Sequence, residues 1–102
     1  MTVTPILEDA SLVGAARLAP LSERSLSKLR WRSRRGLLEN DLFIERFFNR
    51  YAAALTVGQA RGMYVLMDLS DNDLMDLLLR RTELQTEIST EEVREVLDLL
   101  RS

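Results

Sequence analysis

The chain has no cysteine and no histidine among its 102 residues. Without cysteine there is no disulfide framework, no thiolate nucleophile and no thiolate metal site. Without histidine, the commonest general base and the commonest metal ligand are both missing. There is no Gly-rich phosphate loop. Two prolines and four glycines leave long stretches free to be helical. No run of about 18 apolar residues occurs, so no membrane insertion is expected. What remains is a poor catalytic inventory on a chain of ordinary globular composition, 46% hydrophobic and 29% charged, long enough for one domain.

The N-terminal stretch MTVTPILEDASLVGAARLAP lacks the basic start and apolar run of a secretory signal. With Glu8, Asp9 and a single arginine, Arg17, it also reads poorly as a transit peptide. Its apolar positions hold no sustained period. Residues 1 to about 20 are therefore expected to form a flexible arm ending at Pro20, with room for a short helix near Ser11 to Leu18. The cytoplasm is the expected location.

From residue 21 the sequence punctuates itself. Ser22 is a good N-cap for a first helix that meets no breaker before Gly36. The next segment places Phe43, Ile44, Phe47, Phe48, Tyr51, Ala54 and Leu55 at offsets of three and four, a wide apolar helical face. Thr56 followed by Gln59 is a capping box that opens a third helix with Val57, Ala60, Met63, Tyr64 and Met67 inward. Ser70 and Asp73 give a weaker version of that signal before Leu74, Leu77 and Leu78. Ser89 and Glu92 again form a capping box, before Val93, Val96, Leu97 and Leu100. Residues 81 to 88 form the longest connection. No segment alternates long enough to be a strand. The expected fold is all-α, a small five-helix bundle spanning residues 21–102.

Charge is uneven. Residues 1–36 hold seven Lys/Arg and three Asp/Glu, a balance of +4, and residues 37–102 hold seven and thirteen, a balance of −6. The positive charge concentrates in the first helix. On a helical wheel at about 100° per residue, Leu26, Leu29 and Ser33 share the face expected to pack. Arg24, Lys28, Trp31 and Arg35 fall opposite. The single tryptophan thus has two readings of equal weight, a partly buried core residue or the centre of a binding face among cations. Gly36 is also double. It suits the left-handed residue after a helix end, and it would let another backbone approach closely. Glu39 falls in the first turn of the second helix, where its charge suits the helix dipole.

The run R-R-G-L-L-E-N-D, preceded by Trp31 and followed by a Phe-rich helix, resembles the signature of the flavinator family, the SdhE type of FAD assembly factor with a mitochondrial counterpart. The family's R-G-x-x-E corresponds to Arg35, Gly36 and Glu39. A tryptophan five residues before the glycine matches Trp31. VLMDLSDNDLMDLLL, residues 65–79, resembles the family's second block. The likeness spans roughly residues 22 to 101. Two departures stand out. Leu77 stands where members often carry tryptophan, and Asn40 where the residue after the glutamate is often apolar.

The resemblance implies an assembly factor rather than an enzyme. It would bind the flavoprotein subunit of succinate dehydrogenase, and in bacteria also that of fumarate reductase, and promote covalent attachment of FAD to a histidine there. The chemistry would belong to the partner and its flavin, so no FAD is expected to be held stably by this chain. Arg35 and Glu39 would make polar contacts to the partner, Gly36 would permit close approach, Trp31 with Lys28 would extend the patch, and Asp41 would support the start of the second helix. Three other readings are carried alongside. One is an antitoxin-like or other small regulatory module using the same surface. Another is nucleic-acid binding through Arg24, Lys28, Arg30, Arg32, Arg34 and Arg35, which the acidic whole and the lack of a helix-turn-helix pattern disfavour. The third is a metal-dependent enzyme built on Asp68, Asp71, Asp73 and Asp76, whose spacing is not that of an EF-hand loop.

Overall fold

A computed structural model of the chain describes residues 9–34 and 37–102. Five α-helices follow one another: α1 (Glu23–Arg32), α2 (Leu38–Tyr51), α3 (Val57–Met67), α4 (Asp71–Leu78) and α5 (Glu91–Arg101), with short 3-10 turns at Ala10–Leu12, Ala52–Ala54 and Thr86–Ile88. Among the described residues there is no strand, only an isolated bridge between Pro20 and Thr56. The all-α bundle read from the sequence is the fold.

The helices start where capping chemistry allows. The side chains of Ser22, Thr56 and Ser70 accept the backbone N–H groups of Ser25, Gln59 and Asp73. At Thr56 the box closes, because Gln59 Oε1 accepts the Thr56 N–H in return, at 3.0 Å. The fifth cap is one residue later than the sequence suggested. Thr90, not Ser89, has the extended backbone of a cap, and its hydroxyl accepts from Val93. Ser89 instead closes the preceding 3-10 turn through its own N–H to Thr86. Glu92 is thereby freed from capping and reaches Arg61.

α4 ends in a Schellman arrangement. The N–H of Arg81 donates to Asp76 O at 2.8 Å and that of Arg80 to Leu77 O at 3.1 Å. Arg80 holds φ 62°, the left-handed position that glycine usually fills. The following connection is steadied by Arg101, whose guanidinium donates to the Leu77 carbonyl.

α3 is the axis of the core. Val57, Ala60, Met63, Tyr64, Leu66 and Met67 are all buried, and α5 is its most extensive neighbour. The two backbones meet closely at Gly62. A Cβ there would lie 2.5 Å from the Glu92 carbonyl oxygen, so no larger residue fits without moving α5. The buried faces of α2 (Ile44, Phe47, Phe48), α4 (Leu74, Leu77, Leu78) and α5 (Val93, Val96, Leu97, Leu100) join the same cluster. Phe43 and Tyr51 are half-buried, and Leu55 is buried just past the helix. Ala54 is exposed instead, because the 3-10 turn at Ala52–Ala54 breaks the α-helical phase that pointed it inward.

Of the expected flexible arm over residues 1 to about 20, residues 9–20 are described. Residues 9–20 form a strap packed on α3 and α5, and the only helical piece is the 3-10 turn, in place of a helix over Ser11 to Leu18. Leu12 is buried. Arg61 donates to the carbonyls of Leu12 and Ala15 at 3.0 and 2.8 Å while pairing with Glu92 at 2.7 Å. Further along, Gly58 and Val57 donate to the carbonyls of Arg17 and Ala19, and Leu21 donates to Leu55. Arg17 reaches Glu95 and Glu91 on α5 at 3.0 and 3.1 Å, and these carboxylates hold its pKa above the ordinary value. No hydrophobic period encodes such a strap; backbone bonds and four arginine contacts order it. Residues 1–8 lie outside the described residues.

Candidate functional site

α1 is amphipathic in the sense the wheel gave. Ser25, Leu29 and Ser33 are buried and Leu26 half-buried, while Arg24, Lys28 and Trp31 are exposed. The helix stops at Arg32, short of the glycine, and its C-cap Ser33 gives both its N–H and its hydroxyl to the Leu29 carbonyl, at 2.9 and 2.7 Å. The equal readings of Trp31 are thereby separated. It is 72% exposed, with the Arg34 guanidinium 5.2 Å from its ring centroid. One residue back, Arg30 lies over the Phe48 ring of α2 at 5.1 Å.

These side chains line one wall of an open groove of about 670 Å³ between the last turn of α1 and the middle of α2. Arg30, Trp31 and Arg34 stand on the α1 side. Asp41, Glu45 and Asn49 stand on the α2 side, with Ile44 and Phe48 contributing to the lining. Cations thus face carboxylates across the groove, with an indole on its rim.

The junction that joins the walls includes Arg35 and Gly36, which lie outside the described residues. Their neighbours are informative. Glu39 sits in the first turn of α2, exposed, without an ion pair among the described residues. Asp41 is half-buried in that turn, and its N–H donates to Leu37 O. Asn40 between them is fully buried. Its Nδ2 donates to the Asp71 carbonyl at the start of α4, 2.9 Å away, while its Oδ1 has no hydrogen-bond partner. Of the six residues expected to meet a partner, then, Lys28, Trp31 and Glu39 are exposed and Asp41 is half-buried. Trp31 and Asp41 border the same groove.

Lys28 also has an internal neighbour. Asp9, at the start of the strap, is buried, which by itself would raise its pKa. Hydrogen bonds from Ser11 and Ser25 and the charge of Lys28 more than offset this and bring it below the ordinary carboxylate value.

The sequence reading passed over Arg34 on the tryptophan and two leucines. Leu38 and Leu42 are 69% and 59% exposed, one helical turn apart and on either side of Glu39 in sequence. The signal was present. On a wheel both fall roughly opposite Ile44, off the Phe47–Phe48 stripe. Exposed large apolar residues gathered near one junction mark an interaction surface more than a packing accident.

Two of the aspartates read as metal candidates pair within the molecule. Arg32 pairs with Asp68 at 2.9 Å, and Arg81 meets Asp76 at 3.5 Å. Asp73 lies in the first turn of α4, where its N–H is capped by Ser70. Among the described residues no three of His, Cys, Asp or Glu converge as a metal site. No helix among them is long and apolar enough to cross a membrane.

A family model described as the flavinator of succinate dehydrogenase matches residues 27–102. The FAD assembly factor SdhE of Ralstonia nicotianae is 53% identical over 76 residues, covering 74% of this chain and 80% of that protein. The FAD assembly factor SdhE of Coxiella burnetii is 40% identical over 52 residues, 51% of this chain and 63% of that one. The mitochondrial succinate dehydrogenase assembly factor 2 of Dictyostelium discoideum is 31% identical over 86 residues, 83% of this chain and 61% of that one. No solved structure matches. The match begins inside α1 and takes in the groove, the junction and the rest of the bundle, and leaves the whole strap outside; the chain belongs to the flavinator family of succinate dehydrogenase.

Proposed function

We propose that this protein binds the flavoprotein subunit of succinate dehydrogenase and promotes covalent attachment of FAD to it, without catalysing the attachment and without holding FAD stably. The observation that carries the reading is the exposed Trp31–Arg34 pair on the rim of a groove walled by cations and carboxylates, within the stretch that matches the family. Tryptophan and arginine are the side chains that most often dominate protein interfaces. Arg35 and Glu39 are assigned polar contacts to the partner and Gly36 its close approach, with Lys28 and Asp41 in support. The helper's contribution is orientation. Holding a partner's reacting groups in a productive geometry accelerates a step that the partner's own flavin performs. The fumarate reductase flavoprotein subunit is a second target of the same surface, and the cytoplasm is where the encounter takes place.

An antitoxin-like role would use this same face on another protein. Nucleic-acid binding fits less well, because Arg32 is paired with Asp68 and Arg30 and Arg34 lie on aromatic rings, so the six cations of the sequence are not a free row for phosphates.

The test is covalent flavin measured by in-gel fluorescence. The flavoprotein subunit of the same organism is expressed alone, with this protein, and with its Gly36→Arg and Trp31→Ala variants. Attachment should rise with the wild type and fall back with either variant. Equal fluorescence in all lanes, with the subunit folded and FAD in excess, would remove the reading.

A further inference from the structure

Four of the five α-helices begin on a side chain that caps them, but α2 does not. Its cap position is Leu37, whose side chain has no oxygen to offer. Yet the first turn of α2 carries Glu39 and Asp41, two of the residues assigned to the partner surface. Something other than a cap must fix that turn, and Asn40 is placed to do so. It is the one fully buried polar residue of α2, and its amide spans from α2 to the backbone of Asp71, the first residue of α4. Packing alone does not account for an amide here. An apolar side chain would fill the site without leaving Oδ1 buried and unpartnered. The Asp71 carbonyl also fixes which way the amide points, since only Nδ2 can donate to it. Glu39 and Asp41 lie about 100° to either side of Asn40 around the helix. A rotation or slide of α2 about its axis would displace both, and the Asn40–Asp71 bond opposes either motion.

We propose that Asn40 is a positioning residue for partner binding. By tying the first turn of α2 to α4, it holds Glu39 at the angle from which it meets the flavoprotein. The inference rests on the reading of the site given above and adds to it a residue that touches no partner.

The experiment measures Kd between the full chain and the flavoprotein subunit of the same organism by calorimetry, at a temperature where thermal melts show every variant folded. Asn40→Leu and Asn40→Ala err in opposite directions in volume, and both lose the amide. Each should weaken binding by about 10-fold, whichever way its melting temperature moves. Glu39→Gln should weaken binding to a similar degree. Added to Glu39→Gln, Asn40→Leu should cost less than about 2-fold more, since two residues acting through one contact are not additive. A purely structural Asn40 would give losses that track melting temperature and add in full to Glu39→Gln. That result, or wild-type Kd in both Asn40 variants, overturns the inference and leaves the site reading standing. If Gly36→Arg and Glu39→Gln themselves bind like wild type, the site reading fails and the inference falls with it.

Discussion

Around α3 nearly every facing position is occupied. Gly62 touches the backbone of α5, Gly58 lies against Arg17, and the Arg61 guanidinium is shared among two strap carbonyls and Glu92. Around the α1–α2 junction the opposite holds. Trp31, Leu38 and Leu42 are exposed, Glu39 has no ion pair among the described residues, and α2 starts without a side-chain cap. The two regions are adjacent, since α1 packs on α3. The contrast teaches a division of labour. Stability resides where close approach leaves no choice of side chain, and the partner of the proposed function would be met where large apolar side chains stay exposed.

Substitutions can break or sharpen this division. The largest effect is expected at Gly62. Gly62→Val forces α5 off α3 and should destabilise by roughly 3 kcal/mol, lowering the melting temperature by on the order of 15 °C for a domain of this size; urea unfolding would check it. Next is Arg61→Ala, which strands Glu92 in a site only 24% exposed and leaves two strap carbonyls short of a donor. About 2 kcal/mol should be lost, below the full cost of breaking a buried pair because the pair is partly solvated. If the strap matters only to stability, covalent flavin per folded molecule should not change. Trp31→Ala should do the reverse. Stability should shift by less than about 0.5 kcal/mol, while affinity for the flavoprotein subunit, read by calorimetry, falls about 10- to 30-fold. Loss of stability there would mean that the exposed indole is part of the core after all. The smallest effect is at Arg80, whose φ of 62° suits glycine better. Arg80→Gly should gain about 0.5 kcal/mol, the relief of left-handed strain less the entropy glycine adds to the unfolded chain, and should leave partner binding unaltered.

Most of the fold was legible because capping and periodicity are local. Thr56–Gln59 and the stripe from Ile44 to Phe48 depend on residues a turn apart, and both stand as read. The cap of α5 slipped by one because Ser89 and Thr90 are chemically equivalent, and only the 3-10 turn before them decides between the two. The strap was not legible. Its order depends on Arg61, some 46 to 49 residues from the carbonyls it holds, and no window of sequence contains both. In the candidate site, the wheel placed Trp31 and Leu29 on opposite faces but could not weigh exposure against an irregular bundle. It was silent on Asn40, whose burial depends on where α4 lies. The motif residues stood out only through likeness to a family, because R-G-x-x-E by itself has no physical signature beyond a turn and a cap.

The strap also has a consequence in time. Arg17 and Glu95 are 78 positions apart, so one of the earliest described parts of the chain waits for one of the last. Contacts this distant in sequence carry a large loop-closure cost and slow a small domain's folding. During synthesis, α1 with its tryptophan and arginines emerges well before the carboxylates of α5 that complete the strap's anchorage. The strap is therefore made first and secured last, because the carboxylates that anchor Arg17 arrive only with the final helix.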